Sequence, residues 1–443
     1  MTTRQDCAAL DAADPLAALR DAFLLPDDVI YLDGNSLGVL PKSVPARLDH
    51  VIRHEWGTDL IRSWNTAGWI DLPHRIGNKI ARLVGAGDDE LVVGDSTSVN
   101  LYKVLSAAAM LVRADGGASS RRVILSERSN FPTDLYIADS VAKAHGFELQ
   151  LIEADEIGTR LDDERVAILM LTHVNYRSGR MHDMAAISRA AHCAGALVVW
   201  DLCHSAGAVP VNLCPSRAGE DAGADADFAV GCGYKYLNGG PGAPAFAWAH
   251  PRHTARMDRE QWRQPLSGWL GHAAPFAFTP DYQPAAGIAR FVCGTPPVLA
   301  MAALECGVDV FAQTDAFGGI AALRAKSLAL TSLFIELVEA RCAGFGLELA
   351  TPRTHELRGS QVSFARADGA YAVMQALIGR HVIGDFRAGD PSAAVPSPDL
   401  LRFGFAPLYT RFVDVWDAAD HLCAVLDSGE WREARFAARS AVT

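Results

Sequence analysis

One lysine and one aspartate, each at the end of an apolar run, carry the most chemical information in this chain. Asp227-Phe-Ala-Val-Gly-Cys reads as a buried strand that breaks into Gly233-Tyr-Lys-Tyr-Leu-Asn-Gly-Gly-Pro-Gly, leaving Lys235 in a loop too glycine-rich for ordinary packing. An ammonium is rarely buried without a partner, and burial lowers a lysine pKa and makes its amine nucleophilic. Upstream, Ala196-Leu-Val-Val-Trp ends in Asp201-Leu-Cys-His204. A strand-terminal lysine with a strand-terminal aspartate suits a pyridoxal-phosphate site: the amine holds the aldehyde as a Schiff base, and the carboxylate pairs with the pyridinium nitrogen. The pair alone reads equally well as a buried ion pair without chemistry.

Other strand ends are polar too. Leu91–Val93 runs into Gly94-Asp-Ser-Thr97-Ser98, which opens a helix, so Thr97 and Ser98 are either phosphate-facing hydroxyls or ordinary caps. Arg122–Leu125 leads to Ser129-Asn-Phe131-Pro-Thr-Asp134, where Phe131 either stacks on a flat ring or belongs to a proline turn capped by Asp134. Ala167–Leu171 ends in Thr172-His173-Val-Asn175, and His204 reads as a ring neighbour or a satisfied core imidazole. There is no Gly-x-Gly-x-x-Gly fingerprint, P-loop, Gly-x-Ser-x-Gly elbow or His-Glu-x-x-His pair.

These motifs need a scaffold, and the pattern supplies one. Seven short apolar strand candidates (Leu91–Val93, Arg122–Leu125, Glu148–Ile152, Ala167–Leu171, Ala196–Trp200, Phe228–Val230 and Ala245–Trp248) alternate with helical runs such as Leu101–Val112, Asp134–Ala144 and Met184–Ala194. Such alternation predicts an α/β fold with a mainly parallel sheet covered on both faces. An amphipathic helix is expected over residues 8–24, then a short strand at Val29–Leu32. Past residue 300 a long helix, Ala321–Ala343, precedes the strand-like Ser360–Phe364, Val382–Phe386 and Leu401–Phe405 and a last helix, indicating a smaller α+β domain. The expected division is an N-terminal segment of the small domain (1–70), a large cofactor domain (71–310) and a C-terminal small domain (311–443). Cys214–Ala226 and Arg387–Asp399 read as surface loops.

A formal charge of −12 without a basic block argues against nucleic acid and acidic membranes as partners. Nine scattered cysteines with no Cys-x-x-Cys give neither a zinc site nor a disulfide framework. With no apolar leader-like stretch at the N-terminus and no membrane-length run, a cytoplasmic protein is expected.

Across nearly the whole chain the sequence resembles kynureninase, a fold type I pyridoxal-phosphate enzyme related to class V aminotransferases. The stretches that carry the resemblance are Tyr31-Leu-Asp-Gly-Asn-Ser-Leu-Gly, Ile61-Arg-Ser-Trp-Asn, Asn130-Phe-Pro-Thr-Asp, Trp200-Asp-Leu-Cys-His-Ser-Ala-Gly, Tyr234-Lys-Tyr-Leu-Asn-Gly-Gly-Pro-Gly, Gly268-Trp-Leu-Gly-His and Arg402-Phe-Gly-Phe-Ala-Pro-Leu-Tyr. It implies pyridoxal 5'-phosphate on Lys235, Asp201 at the ring nitrogen, and Phe131 stacked on the ring within the contacting run Phe131, Pro132, Thr133 and Asp134. It further implies Thr97, Ser98 and Tyr234 at the phosphate, with Thr172 and His204 completing the cofactor shell. Trp269, Tyr282 and Thr295 look like contacts made across a homodimer interface, and Arg402 matches the arginine for the substrate α-carboxylate. The implied reaction is hydrolytic cleavage of L-kynurenine to anthranilate and L-alanine, with plain kynurenine favoured over 3-hydroxykynurenine. Trp64, in Ser63-Trp-Asn65, reads as a pocket wall or equally as a core indole, and Tyr234, with its hydroxyl near the phosphate, is the candidate proton donor. A cysteine desulfurase-like lyase is the alternative within the fold, but it needs a mobile nucleophilic cysteine, and Cys203 and Cys232 sit at strand ends. Two departures stand out: Phe386 replaces a usual tyrosine, and the segment between Arg387 and Arg402 is longer than the family pattern.

Overall fold

The computed structural model describes residues 2–114, 121–214, 223–390 and 397–439. A short first strand, β1 (Ile30–Tyr31), is followed by seven that form one sheet: β2 (Leu91–Val93), β3 (Val123–Glu127), β4 (Glu148–Ile152), β5 (Val166–Thr172), β6 (Leu197–Asp201), β7 (Phe228–Gly231) and β8 (Phe246–Ala249). Their order is β2-β8-β7-β6-β5-β3-β4. The run from β7 to β4 is parallel, while β8 is antiparallel to both β7 and β2. Every residue of β5 is buried because both faces are covered: Leu169 and Leu171 join one core, Ile168 and Met170 the other. Burial on both faces explains why the inner strands read as apolar runs, whereas β4, at the sheet edge, is only partly buried.

The later strands, β9 (Glu348–Leu349), β10 (Gln361–Ala365), β11 (Val382–Ile383), β12 (Asp385–Arg387) and β13 (Leu400–Gly404), divide between two sheets. One is antiparallel, in the order β12-β13-β10-β9, and the other pairs β1 with β11 in parallel. A separate core holds this part together, contributed by the helices Gly319–Arg341, Ala370–Gly379 and Phe412–Ser428 with Cys7 and Leu32. The N-terminal segment is shared, since Leu16, Leu19 and Phe23 pack into the core beneath the large sheet.

Three local expectations change. The first helix is Arg4–Ala13, not residues 8–24; Asp14 takes an extended ψ of 114° and a 3-10 turn follows at Ala17–Ala22. Pro15 causes this, because the residue before proline is pushed out of the α region. The run Val382–Phe386 splits at Gly384 between two sheets. The helical turns over residues 43–66 have no counterpart in the sequence reading, and they leave Trp56, Leu60 and Ile61 exposed. The centres of both expected loops, residues 215–222 and 391–396, lie outside the described residues.

Candidate active site

The carboxyl ends of β3, β5, β6 and β7 open onto a cavity of about 240 Å³, at the edge where open α/β sheets bind ligands. It is lined by Thr97, Ser98, Phe131, Thr133, Asp134, Thr172, Tyr176, Asp201, Cys203, His204, Tyr234 and Lys235. Ten of the side chains named from sequence therefore meet in one place. Tyr176 is an addition, just past the Thr172-to-Asn175 cluster with nothing in its neighbours to mark it, and Cys203, read from sequence only as a strand-end thiol, also lines the cavity.

The Lys235 loop is shaped by close backbone approach. Gly239 donates to the Gly233 carbonyl at 2.9 Å, and a Cβ on Gly239 would stand 2.7 Å from that oxygen. Asn238 takes a positive φ of 55°, which asparagine tolerates better than most residues. From the N-terminal segment the Gly38 amide donates to the Tyr234 carbonyl at 2.7 Å, where a Cβ would strike Asn238. Lys235 itself is half-buried rather than enclosed, and its Nζ lies 2.9 Å from His204 Nε2. Burial first, and then the Lys235 charge, hold the His204 imidazole well below its ordinary pKa. A neutral His204 accepts from the ammonium at Nε2.

Asp201 closes β6 directly opposite Thr172 of β5. Its Oδ1 accepts from the Cys203 amide at 2.8 Å, and its Oδ2 lies 3.5 Å from Thr172 Oγ1. Asp134, in the first turn of the helix Pro132–His145, is also buried. Burial, and next the Asp201 charge, push the Asp134 carboxyl well above the usual range. An ionised Asp134 would leave its buried Oδ2 with no donor, whereas a protonated one can donate to the carboxylate beside it. Hydrogen bonding to Cys232, followed by burial, raises the Cys203 thiol, so it faces the cavity as a thiol and not a thiolate.

Arg402 lies on β13 and is almost fully buried; it donates to the Tyr176 carbonyl at 2.8 Å, to Ser36 Oγ at 2.7 Å and to Asp385. Tyr176 lines the cavity, so Arg402 sits directly behind its wall. Trp64, Trp269, Tyr282 and Thr295 do not reach the Lys235 cavity in this chain. Trp64 and Trp269 line a second, apolar pocket of about 600 Å³ with Ile61, Asn65, Phe276 and Phe278. Trp269 Nε1 donates to Thr295 Oγ1 at 3.3 Å, and the Tyr282 hydroxyl donates to the Gly271 carbonyl at 2.8 Å. Pro132 sits at the start of its helix, next to Phe131, outside the lining.

These residues suit pyridoxal phosphate on structural grounds: an amine at the rim, a carboxylate on the floor, hydroxyls at the start of the 18-residue helix Thr97–Ala114, and orphaned polar atoms at Asp134 Oδ2 and His204 Nδ1. Sheet and cavity together define a fold type I pyridoxal-phosphate enzyme. The fold is similar to that of a cysteine desulfurase from Thermococcus onnurineus NA1 (TM-score 0.73, 19% identity, covering 93% of this chain and 98% of that one). It is also similar to a C-DES mutant with glycine covalently linked to its pyridoxal-phosphate cofactor (TM-score 0.72, 16% identity, 92% and 98% covered). The sequence narrows the class. Residues 323–422 match the kynureninase C-terminal domain. The chain is 55% identical over 446 residues to kynureninases of Burkholderia mallei and Burkholderia pseudomallei, and 54% identical over 445 residues to that of Pseudomonas fluorescens, with each pair covered completely. The chain belongs to the kynureninase family, the pyridoxal-phosphate-dependent hydrolases that act on carbon–carbon bonds.

Proposed function

We propose that this protein hydrolyses L-kynurenine at the Cβ–Cγ bond, giving anthranilate and L-alanine in tryptophan catabolism. The observation that carries the reading is the meeting of Lys235, His204, Asp201 and Asp134 in one strand-end cavity, with Arg402 behind its wall. Bound pyridoxal phosphate supplies an aldehyde that links to amines and a ring that withdraws electrons from the substrate α-carbon.

The side chains divide the remaining work. Lys235 Nζ would hold the aldehyde and would serve as the base for the substrate α-proton. His204 Nε2 fixes the direction of that amine through their 2.9 Å contact. Asp201 would keep a proton on the ring nitrogen, with the buried Asp134 carboxyl, held well above the usual range, beside it. Phe131, at the start of the contacting run through Asp134, would contact the ring, Thr97, Ser98 and Tyr234 would hold the phosphate, and Thr172 would complete the shell. Burial raises the Tyr234 hydroxyl pKa, so it stays protonated and can supply the proton that completes alanine. Arg402 takes the α-carboxylate, as a planar guanidinium suits.

The second pocket supports a homodimer with shared sites, in which Trp269, Tyr282 and Thr295 border the cofactor held by the partner and Trp64 walls the aryl pocket. We also assign residues 71–310 to the large domain and residues 1–70 with 311–443 to the small one, in a cytoplasmic enzyme; no helix among the described residues is long and apolar enough to cross a membrane. Substrate choice rests on one ring hydroxyl, which an apolar wall such as Trp64 leaves unpaired. Comparing kcat/KM for the two substrates tests this: L-kynurenine is expected to win, and a clear preference for 3-hydroxykynurenine overturns the substrate assignment.

A further inference from the structure

Arg402 does not stand alone. It faces Asp385 across the β12–β13 ladder, and Arg387 lies two residues further along β12, so all three side chains share one face of the sheet. A single atom, Asp385 Oδ2, accepts from both guanidinium groups: from Arg402 Nη2, and from Arg387 Nη2 at 2.6 Å. The two cations are thereby clipped side by side around Tyr176. Arg402 holds the Tyr176 carbonyl, and the Arg387 guanidinium lies 6.0 Å from the centre of its ring. That ring meets Phe131 edge-on at 5.2 Å, and both aromatics line the cofactor cavity.

Two observations leave this arginine pair short of acceptors. The Nε atoms of Arg387 and Arg402 are both buried with no hydrogen-bond partner. A buried orphan N–H is costly unless a ligand completes it. The local charge is also out of balance, with two guanidinium groups against the one carboxylate they share. The next carboxyl, Asp33, stands 4.0 Å from Arg402, and burial and then Asp385 push it up to about 7, so it offsets the second cation only in part near neutral pH.

We propose that Arg387 is a second cation of the substrate α-carboxylate site, held beside Arg402 by Asp385. The proposal rests on the reading of Arg402 as a carboxylate ligand. The competing role for Arg387 is neutralisation of Asp385 with no ligand contact.

Calorimetric titration of the holoenzyme with L-alanine and with L-alaninamide separates these roles, because the two ligands differ in the carboxylate alone. Arg387→Gln should weaken L-alanine binding by about tenfold or more, the scale of a lost hydrogen bond to a charged group, and alter L-alaninamide by less than about threefold. Arg387→Lys, which keeps the charge and loses the fork, should restore part of the difference. Arg387 is on an edge strand with its side chain 34% exposed, so the variants should fold, as their melting curves will report. L-alanine affinity of Arg387→Gln within threefold of native, or an equal loss for both ligands, overturns the proposal. Arg402→Gln keeps the two readings apart: if it too spares L-alanine, the carboxylate assignment of Arg402 fails, whereas loss there with Arg387→Gln unaffected rejects Arg387 alone.

Discussion

Replacing Asp201 by asparagine removes one charge and almost no volume from the cavity floor. The asparagine oxygen can still accept from the Cys203 amide, now at 2.8 Å from Oδ1, so β6 and the turn after it should persist. The electrostatic role cannot be replaced. Asp201 is only 4% exposed, so water screens its charge poorly. Asp134 is no substitute, because burial is the larger cause of its raised pKa and remains after Asp201 is neutralised. Loss of such a preorganised stabiliser costs on the order of 3 kcal/mol, or roughly a hundredfold in kcat at about 1.4 kcal/mol per decade. Initial rates of anthranilate release, with cofactor occupancy and melting temperature measured on the same preparation, make the comparison clean. A folded, fully loaded Asp201→Asn enzyme within tenfold of native kcat would refute the floor's role and leave Asp201 a structural carboxylate.

Other consequences are as direct. Lys235→Ala should lose all turnover and the long-wavelength absorption of the bound cofactor while keeping the native far-ultraviolet circular dichroism. The folded state holds the Asp33 proton more tightly than the unfolded chain does, so stability is lost as pH rises from about 4 to about 7. Asp33→Asn removes that dependence, and its stability relative to native should improve by on the order of 2 kcal/mol between pH 5 and pH 8 in denaturant titrations; a constant difference contradicts the assignment. If sites are shared between subunits, mixing inactive Lys235→Ala with an inactive Tyr282 variant should restore part of the activity, because one site in a mixed dimer has both residues intact. Verified heterodimers as inactive as either parent would reject the shared site.

What could be read in the sequence follows the physics of burial. The inner strands of the large sheet were legible because both faces are covered, which makes β5 an unbroken apolar run, while edge strand β4 alternates Glu-Leu-Gln-Leu-Ile and is only partly buried. Lys235 and Asp201 stood out because charge at the end of such a run is unusual, and they do converge on one cavity. Pro15 was visible, yet the periodicity on either side of it masked the break between the helix and the turn that follows. Tyr176 entered the cavity through chain geometry alone, and no spacing announces such a position. The pairing of Arg387 with Arg402 through Asp385 depends on the β12–β13 register, a contact across a segment whose residues 391–396 lie outside the described residues. The placing of Trp269, Tyr282 and Thr295 came from family resemblance; within one chain Trp269 lines a different pocket and donates to Thr295, while Tyr282 donates to the Gly271 carbonyl.

In the proposed function, Lys235 is the residue that carries the cofactor. Reducing the holoenzyme with borohydride, digesting it and mapping the pyridoxyl-bearing peptide tests that most directly. The modified residue should be Lys235, in the peptide containing Gly233-Tyr-Lys-Tyr-Leu-Asn, at one label per chain. A label fixed on any other lysine, or a Lys235→Ala protein that is labelled as fully as native, would contradict it.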